Sequence, residues 1–168
     1  MRVINLILVF GLVFGFIPLA FAEGSSQELT REAARALAQG KFTQAIAAAE
    51  KCIELSSREA KKEQSKIKVL GKIALSADSK EVFSKYRILN DVGMSQFIVA
   101  EACRVQGKSK EANQAYKKVI MEYPESRNLL EIQRGKFVLI KLADEAKSRL
   151  KLDPQNKFYK LPIAIKVY

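Results

Sequence analysis

Gly40-Lys41-Phe42-Thr43-Gln44-Ala45, followed by Lys51 and Ile53, is answered by Gly107-Lys108-Ser109-Lys110-Glu111-Ala112, followed by Lys118 and Ile120. The two glycines stand 67 positions apart, close to two periods of a helix–turn–helix unit of roughly 34 residues. Glycine at such a place lets two helices reverse within a few residues, because it has no Cβ to clash in a left-handed turn. Ala45 and Ala112 let neighbouring helix backbones come close, and Tyr116 and Phe83 fill the space between hairpins. One hairpin cannot bury its apolar stripe alone, so the pattern predicts hairpins in series with one shared core.

Working outward from the repeat, a helix over 26–39 opens on a capping box, Ser25 with Glu28, and carries Leu29, Ala33, Ala36 and Leu37 at helical spacing. After Gly40 a second helix over 43–55 places Ala45, Ile46, Ala49, Cys52 and Ile53 on one face. A third over 58–76 has the stripe Ile67, Leu70, Ile73 and Ala74, with Lys61, Lys62, Lys66, Lys68 and Lys72 around it. Asp78 with Glu81 caps a fourth, which carries Val82, Phe83, Tyr86 and Leu89, and Asn90-Asp91-Val92-Gly93 reads as a turn. A fifth helix over 95–106 and a sixth over 110–123 flank Gly107, and Pro124 stops the sixth. Asn128 and Glu131 cap a seventh that ends near Leu152, with Ile132, Leu139, Ala143, Ala146 and Leu150 on one face. Gly135 weakens it by about 1 kcal/mol relative to Ala. A terminal helix of this kind covers the open end of a stack. Asp153-Pro154 closes the helical region. Residues 153–168, where Tyr, Ile and Val mix with Lys, read as an extended tail or as a terminus packed on the last helix.

The first 22 residues read as a cleavable signal peptide: Arg2, an apolar stretch from Val3 to Phe21, and Ala20-Phe21-Ala22 as the small-x-small site. Cleavage after Ala22 leaves a helical domain over 23–152 and the tail, soluble in the periplasm or secreted. The other reading is an uncleaved anchor, since the stretch is nearly long enough to span a membrane. The absence of a following Cys argues against a lipid anchor. The whole chain carries 29 Lys and Arg against 18 Asp and Glu, and the excess concentrates in 58–90 and 132–168. Such a surface attracts acidic proteins, anionic lipids or cell-wall polymers. The address makes nucleic acid an unexpected partner. A solvated Lys-rich helix face explains the same charge.

Cys52 and Cys103 are the only cysteines. An oxidising compartment permits a disulfide, but their apolar helical settings and different repeat positions favour two separate buried thiols. No enzyme is expected. The chain has no His, the commonest acid–base group near neutral pH, and shows no phosphate-binding Gly loop, nucleophile elbow or clustered metal ligands. Glu59 and Glu63 at helical spacing read as part of a solvated face. No catalytic residue, cofactor or metal is called for.

These residues resemble the tetratricopeptide repeat family. The unit over 93–126 fits with Ala100, Gly107, Ala112, Tyr116 and Pro124. The unit over 26–58 fits with Ala33, Gly40, Phe42 and Ala45, but has Ala49 where an aromatic is common and Ser57 in place of Pro. The unit between, 59–92, is degenerate, and the family's Trp is absent throughout. The phrase from Tyr116 to Ser126 also resembles repeats of bacterial envelope proteins. The resemblance implies an all-α fold, a right-handed α-solenoid of antiparallel hairpins with a C-terminal capping helix. It implies a concave face, lined by the first helices, that grips an extended peptide or partner helix. By repeat position that face includes Thr30, Arg31, Ala34, Ile67, Lys68, Gly71, Phe97, Glu101 and Arg104, with Arg31, Lys68, Phe97 and Arg104 the candidate partner-binding residues. The paired Lys and Asn of the family's carboxylate clamp are missing, so binding of a chaperone tail is not expected.

Two functions from different classes follow. One is a non-enzymatic protein-interaction scaffold of the cell envelope, binding a partner protein or peptide through the helical stack. The other is a basic adaptor for an anionic polymer or membrane surface, which needs Lys61, Lys62, Lys66, Lys68, Lys72, Lys136, Lys141 and Lys147 in one patch.

Overall fold

The computed structural model describes residues 24–70, 79–134 and 136–151. Helix α1 (Ser26–Ala38) opens on the expected capping box: Ser25 Oγ accepts from the Glu28 N–H, and the Glu28 carboxylate accepts from the Ser25 N–H at 2.8 Å. Gly40, at φ 72°, turns the chain into α2 (Phe42–Leu70). A short α3 (Ser79–Lys85) precedes α4 (Arg87–Val105), and Gly107, at φ 76°, turns the chain into α5 (Ser109–Glu122). The two glycine turns are closed by equivalent bonds. Gly40 N donates to Leu37 O and Lys41 N to Ala36 O; Gly107 N donates to Arg104 O and Lys108 N to Cys103 O. Each pair satisfies carbonyls that a helix end leaves open.

The two hairpins, α1–α2 and α4–α5, lie directly against one another, with α4 packed on both α1 and α2. Their shared core holds Ala33, Leu37, Ala45, Ala49, Ile98, Ala100, Ala112, Tyr116 and Val119. Ala45 and Ala112 are buried, as close helix approach requires.

Three elements differ from the sequence reading. The segments 43–55 and 58–76 do not form two helices. Helix α2 runs unbroken for 29 residues, about 43 Å, because Leu55-Ser56-Ser57-Arg58 contains neither Gly nor Pro and leaves the backbone ladder intact. The expected middle hairpin, 59–92, is therefore not inserted between the other two. Its first part is the overhang of α2, which builds a second core of Ala60 and Ile67 against Tyr86, Leu89, Val92 and Tyr123. Asp78 and the end of the expected third helix lie outside the described residues.

The Asn90-Asp91-Val92-Gly93 turn is instead interior helix, in the buried first half of α4. The side chains that suggested a turn find partners across the core. Asn90 Nδ2 donates to Phe83 O at 3.0 Å and Asn90 Oδ1 accepts from Arg127 N at 2.8 Å. Gly93 faces Ser126 so closely that a Cβ there would lie 2.3 Å from its side chain.

The seventh helix is shortened to α6 (Leu142–Lys151). Asn128 and Glu131 do not cap it; they lie in strand β1 (Arg127–Gln133), which pairs antiparallel with β2 (Lys136–Lys141) from Arg127↔Lys141 to Gln133↔Lys136, with an irregularity after Glu131. Phe137-Val138-Leu139-Ile140 is rich in aromatic and β-branched residues, and Arg134-Gly135 separates the two apolar runs by two residues. Together these outweigh the helical spacing of Ile132 and Leu139. The hairpin rests on α3 and the start of α4. Helix α6 packs on α5 and α4, with Leu142 and Ala146 in the core. The described residues are mostly helical, with one small two-stranded sheet.

Candidate functional site

A groove of about 400 Å³ runs between α2, α4 and α5. Its floor is apolar and small: Ile46 and Ile53 from α2, Val99 and Cys103 from α4, Ala115 from α5. Because Val99, Cys103 and Ala115 are small, they leave α2 and α5 with nothing bulky between them at this face. Glu50 and Glu54, one turn apart on α2, form one wall, and Glu111, Gln114 and Lys118 on α5 form the other. Gln96 completes the lining. The protein is strongly basic overall, yet this groove carries three carboxylates against one ammonium.

Glu50, Glu54, Glu111 and Lys118 are exposed. Among the described residues, Lys61, Lys62, Lys141 and Lys147 each sit in an ion pair, with Glu122, Glu59, Glu125 and Asp144 at 3.1, 2.9, 2.9 and 3.0 Å. Glu50, Glu54 and Glu111 have no such partner among those residues. The Cys103 thiol on the floor is pushed above its usual value, first by burial and further by Glu111 and Glu50, against the pull of Lys108. Its side chain adds a small apolar surface to the floor.

On the other face of α4 lies a closed polar network. Glu101 is 1% exposed and sits between two arginines and a phenol. Arg104 Nη2 approaches Glu101 Oε2 at 2.7 Å, Tyr116 Oη donates to Oε1, and Arg149 Nε lies 3.2 Å from Oε1 as a charge contact off the hydrogen-bond axis. Arg149 also reaches Glu145 at 3.1 Å. Burial, then the Glu101 charge, drives the Tyr116 phenol far above its usual range. The network ties α4, α5 and α6 together through charge pairs, while Arg149 Nε and Nη2 make no hydrogen bond.

The expected partner-binding residues have different surroundings. Phe97 is buried, edge-on to Tyr116 with ring centroids 5.6 Å apart. Arg104 is committed to Glu101. Thr30, Ala34, Ile67 and Glu101, also assigned to a concave face, are buried. Arg31 is exposed on α1. Lys68 lies in the last turn of α2, and Gly71, with the side chain of Lys68, falls outside the described residues. The repeat positions Gly40, Ala45, Gly107, Ala112, Tyr116 and Pro124 are turn, core or half-buried residues. Cys52 and Cys103 are both buried and free. Of the lysines needed for one basic patch, the four named above are paired, Lys66 is exposed, and Lys72 with the side chains of Lys68 and Lys136 lies outside the described residues.

The groove residues were missed because the sequence reading assigned the binding face to the first helix of each hairpin. A signal was present: Glu50 and Glu54 repeat like charge at one-turn spacing on a helix whose neighbours are otherwise balanced. Among the described residues no group of three or more Cys, Asp or Glu side chains is placed to hold a metal, and no helix is long and apolar enough to cross a membrane. Residues 1–22, read as a leader, fall outside the described residues. The chain matches no protein-family model, no curated protein and no solved structure.

Proposed function

We propose that the protein is a non-enzymatic interaction scaffold that binds a partner protein or peptide in the α2–α4–α5 groove, and that its two glycine hairpins are units of a tetratricopeptide-like stack. The single observation behind this reading is the groove's lining: a small apolar floor between two walls that hold three carboxylates with no ion-pair partner among the described residues. Such a site favours an extended or helical segment that places apolar side chains on Ile46, Ile53 and Val99 and Lys or Arg against Glu50, Glu54 and Glu111. The electrostatic part guides encounter and register, while the apolar floor supplies most of the affinity. A leader ending at Ala22 puts this scaffold in the cell envelope. The basic-adaptor reading is less favoured, because four of its lysines each stand beside a carboxylate.

Fluorescence anisotropy with two labelled peptides tests this, one alternating Lys with Leu or Ile, the other with Glu in place of Lys. The Lys peptide binds, the Glu peptide does not, and E50K/E54K/E111K weakens the Lys peptide at least about tenfold, three lost pairs at about 0.5 kcal/mol each. Equal binding of both peptides, or no effect of the triple substitution, would refute it.

A further inference from the structure

We infer that the partner's anchor in this groove is an arginine side chain, its guanidinium held between Glu50 and Glu111 above Cys103. This rests on the groove reading above and names the group that fills it. Two contacts fix how α2 and the chain of α5 lie side by side. Lys61 Nζ stands 3.1 Å from Glu122 Oε2, and Gln64 Oε1 accepts from Glu125 N at 2.9 Å. In both, the α2 residue meets the residue 61 positions later. Glu50 and Glu111 are separated by the same 61 positions, and each stands 11 residues before its member of the Lys61–Glu122 pair. Eleven residues make close to three helical turns, about 16 Å. Glu50 and Glu111 therefore come level with each other, on the same sides of their helices as Lys61 and Glu122. Both line the groove, and both charges push up the Cys103 thiol on its floor.

The groove thus has two rungs. Lys61 and Glu122 pair opposite charges at one end. About three turns away, the second rung sets carboxylate across from carboxylate, both exposed and neither in an ion pair among the described residues. Glu54 differs, because the residue level with it on α5 is Ala115. Lys118 stands two turns beyond Glu111, about 10 Å along the helix, and is level with Ser57. A cation of the partner completes the second rung. Arginine suits it better than lysine. Its guanidinium spreads five N–H donors around one plane, so it bonds a carboxylate on each side at once. It is also more weakly hydrated than an ammonium, so it loses less on entering a groove floored by Val99, Cys103 and Ala115.

Fluorescence anisotropy on the intact chain tests this with the Lys-alternating peptide and its counterpart carrying Arg at every Lys position. The Arg peptide binds at least about fivefold more tightly, as two-sided charge-assisted bonds replace a point charge. That gain disappears in E50Q and in E111Q and survives in E54Q. All three positions are exposed, and unchanged circular dichroism shows that the variants are folded. Equal binding of the two peptides, a gain that survives E50Q or E111Q, or a gain lost equally in E54Q would overturn the anchor and leave the scaffold reading standing. Binding of neither peptide would remove the scaffold reading, and the anchor with it.

Discussion

Gly93 and Gly40 are constrained in opposite ways. At Gly93 the backbone is ordinary helix and the space is taken: a Cβ would meet Ser126, itself wholly buried, at 2.3 Å. At Gly40 and Gly107 the space is open and the backbone is left-handed. Gly93→Ala therefore overpacks the junction of α4 with the 123–127 loop and costs about 1–3 kcal/mol. Gly40→Ala and Gly107→Ala cost about 1 kcal/mol each, from strain alone. Urea unfolding of the three variants checks the order. The turn glycines were legible because each follows an apolar helical stripe. Gly93 was not, because a glycine beside Asn and Asp carries a turn signature whether or not the chain turns.

Asp91, in the same stretch, is buried, with its carboxylate accepting from Ser26 Oγ at 2.8 Å and its carbonyl 3.2 Å from Thr30 Oγ1. Burial, the largest influence, raises its carboxyl to about 6. The Ser26 hydrogen bond and the charges of Arg87 and Arg31 pull it down, and Glu63 pushes it up. An unfolded aspartate titrates near about 4, so between about pH 4 and 6 the folded state holds a proton that the unfolded state has lost. Stability from this group is thus greatest below that window and falls as pH rises through it. Asp91→Asn removes that fall, leaving the variant's stability flatter from about pH 4 to 6 and higher than the parent's at pH 7. Thermal unfolding across that range measures both slopes.

At the scale of elements, the continuity of α2 changes the architecture most. A break near Ser56-Ser57 would give a third hairpin; an unbroken helix gives an overhang that carries its own core. Ser57→Pro separates the two. In an unbroken helix it removes a ladder bond and clashes with the preceding turn, costing about 3 kcal/mol or more, whereas at a true helix boundary it would be tolerated. Loss of helical circular dichroism with a lower denaturation midpoint is the expected outcome. The sequence is ambiguous here because serines end helices only when a competing side-chain bond or a turn residue helps them. The β1–β2 hairpin was hidden for a related reason. Leu139, Ala143, Ala146 and Leu150 keep a helical spacing across the strand–helix junction, and only the two-residue Arg134-Gly135 interruption marks the change of period.

In the whole molecule, the repeated glycine motif brings the two hairpins into direct contact although 67 residues separate the motifs. Long-range contact was therefore legible as kinship between segments, but not its order, because the extra chain between them bulges out as the α2 overhang and α3. The groove follows from the same packing. Hairpins that meet through Ala and Ile leave one face closed by Glu101, Arg104, Arg149 and Tyr116, and the opposite face open where Val99, Cys103 and Ala115 are too small to fill it. No local pattern states which face closes, because the closing residue, Arg149, comes from α6, 48 positions beyond Glu101.

Amide chemical-shift mapping during titration with the Lys-alternating peptide tests the central claim most directly. The groove account predicts shifts clustered on 46–54, 96–103 and 111–118, with α1 and α6 quiet. Shifts centred on Arg31 and the Arg104–Arg149 face, or none at saturating peptide, would contradict it.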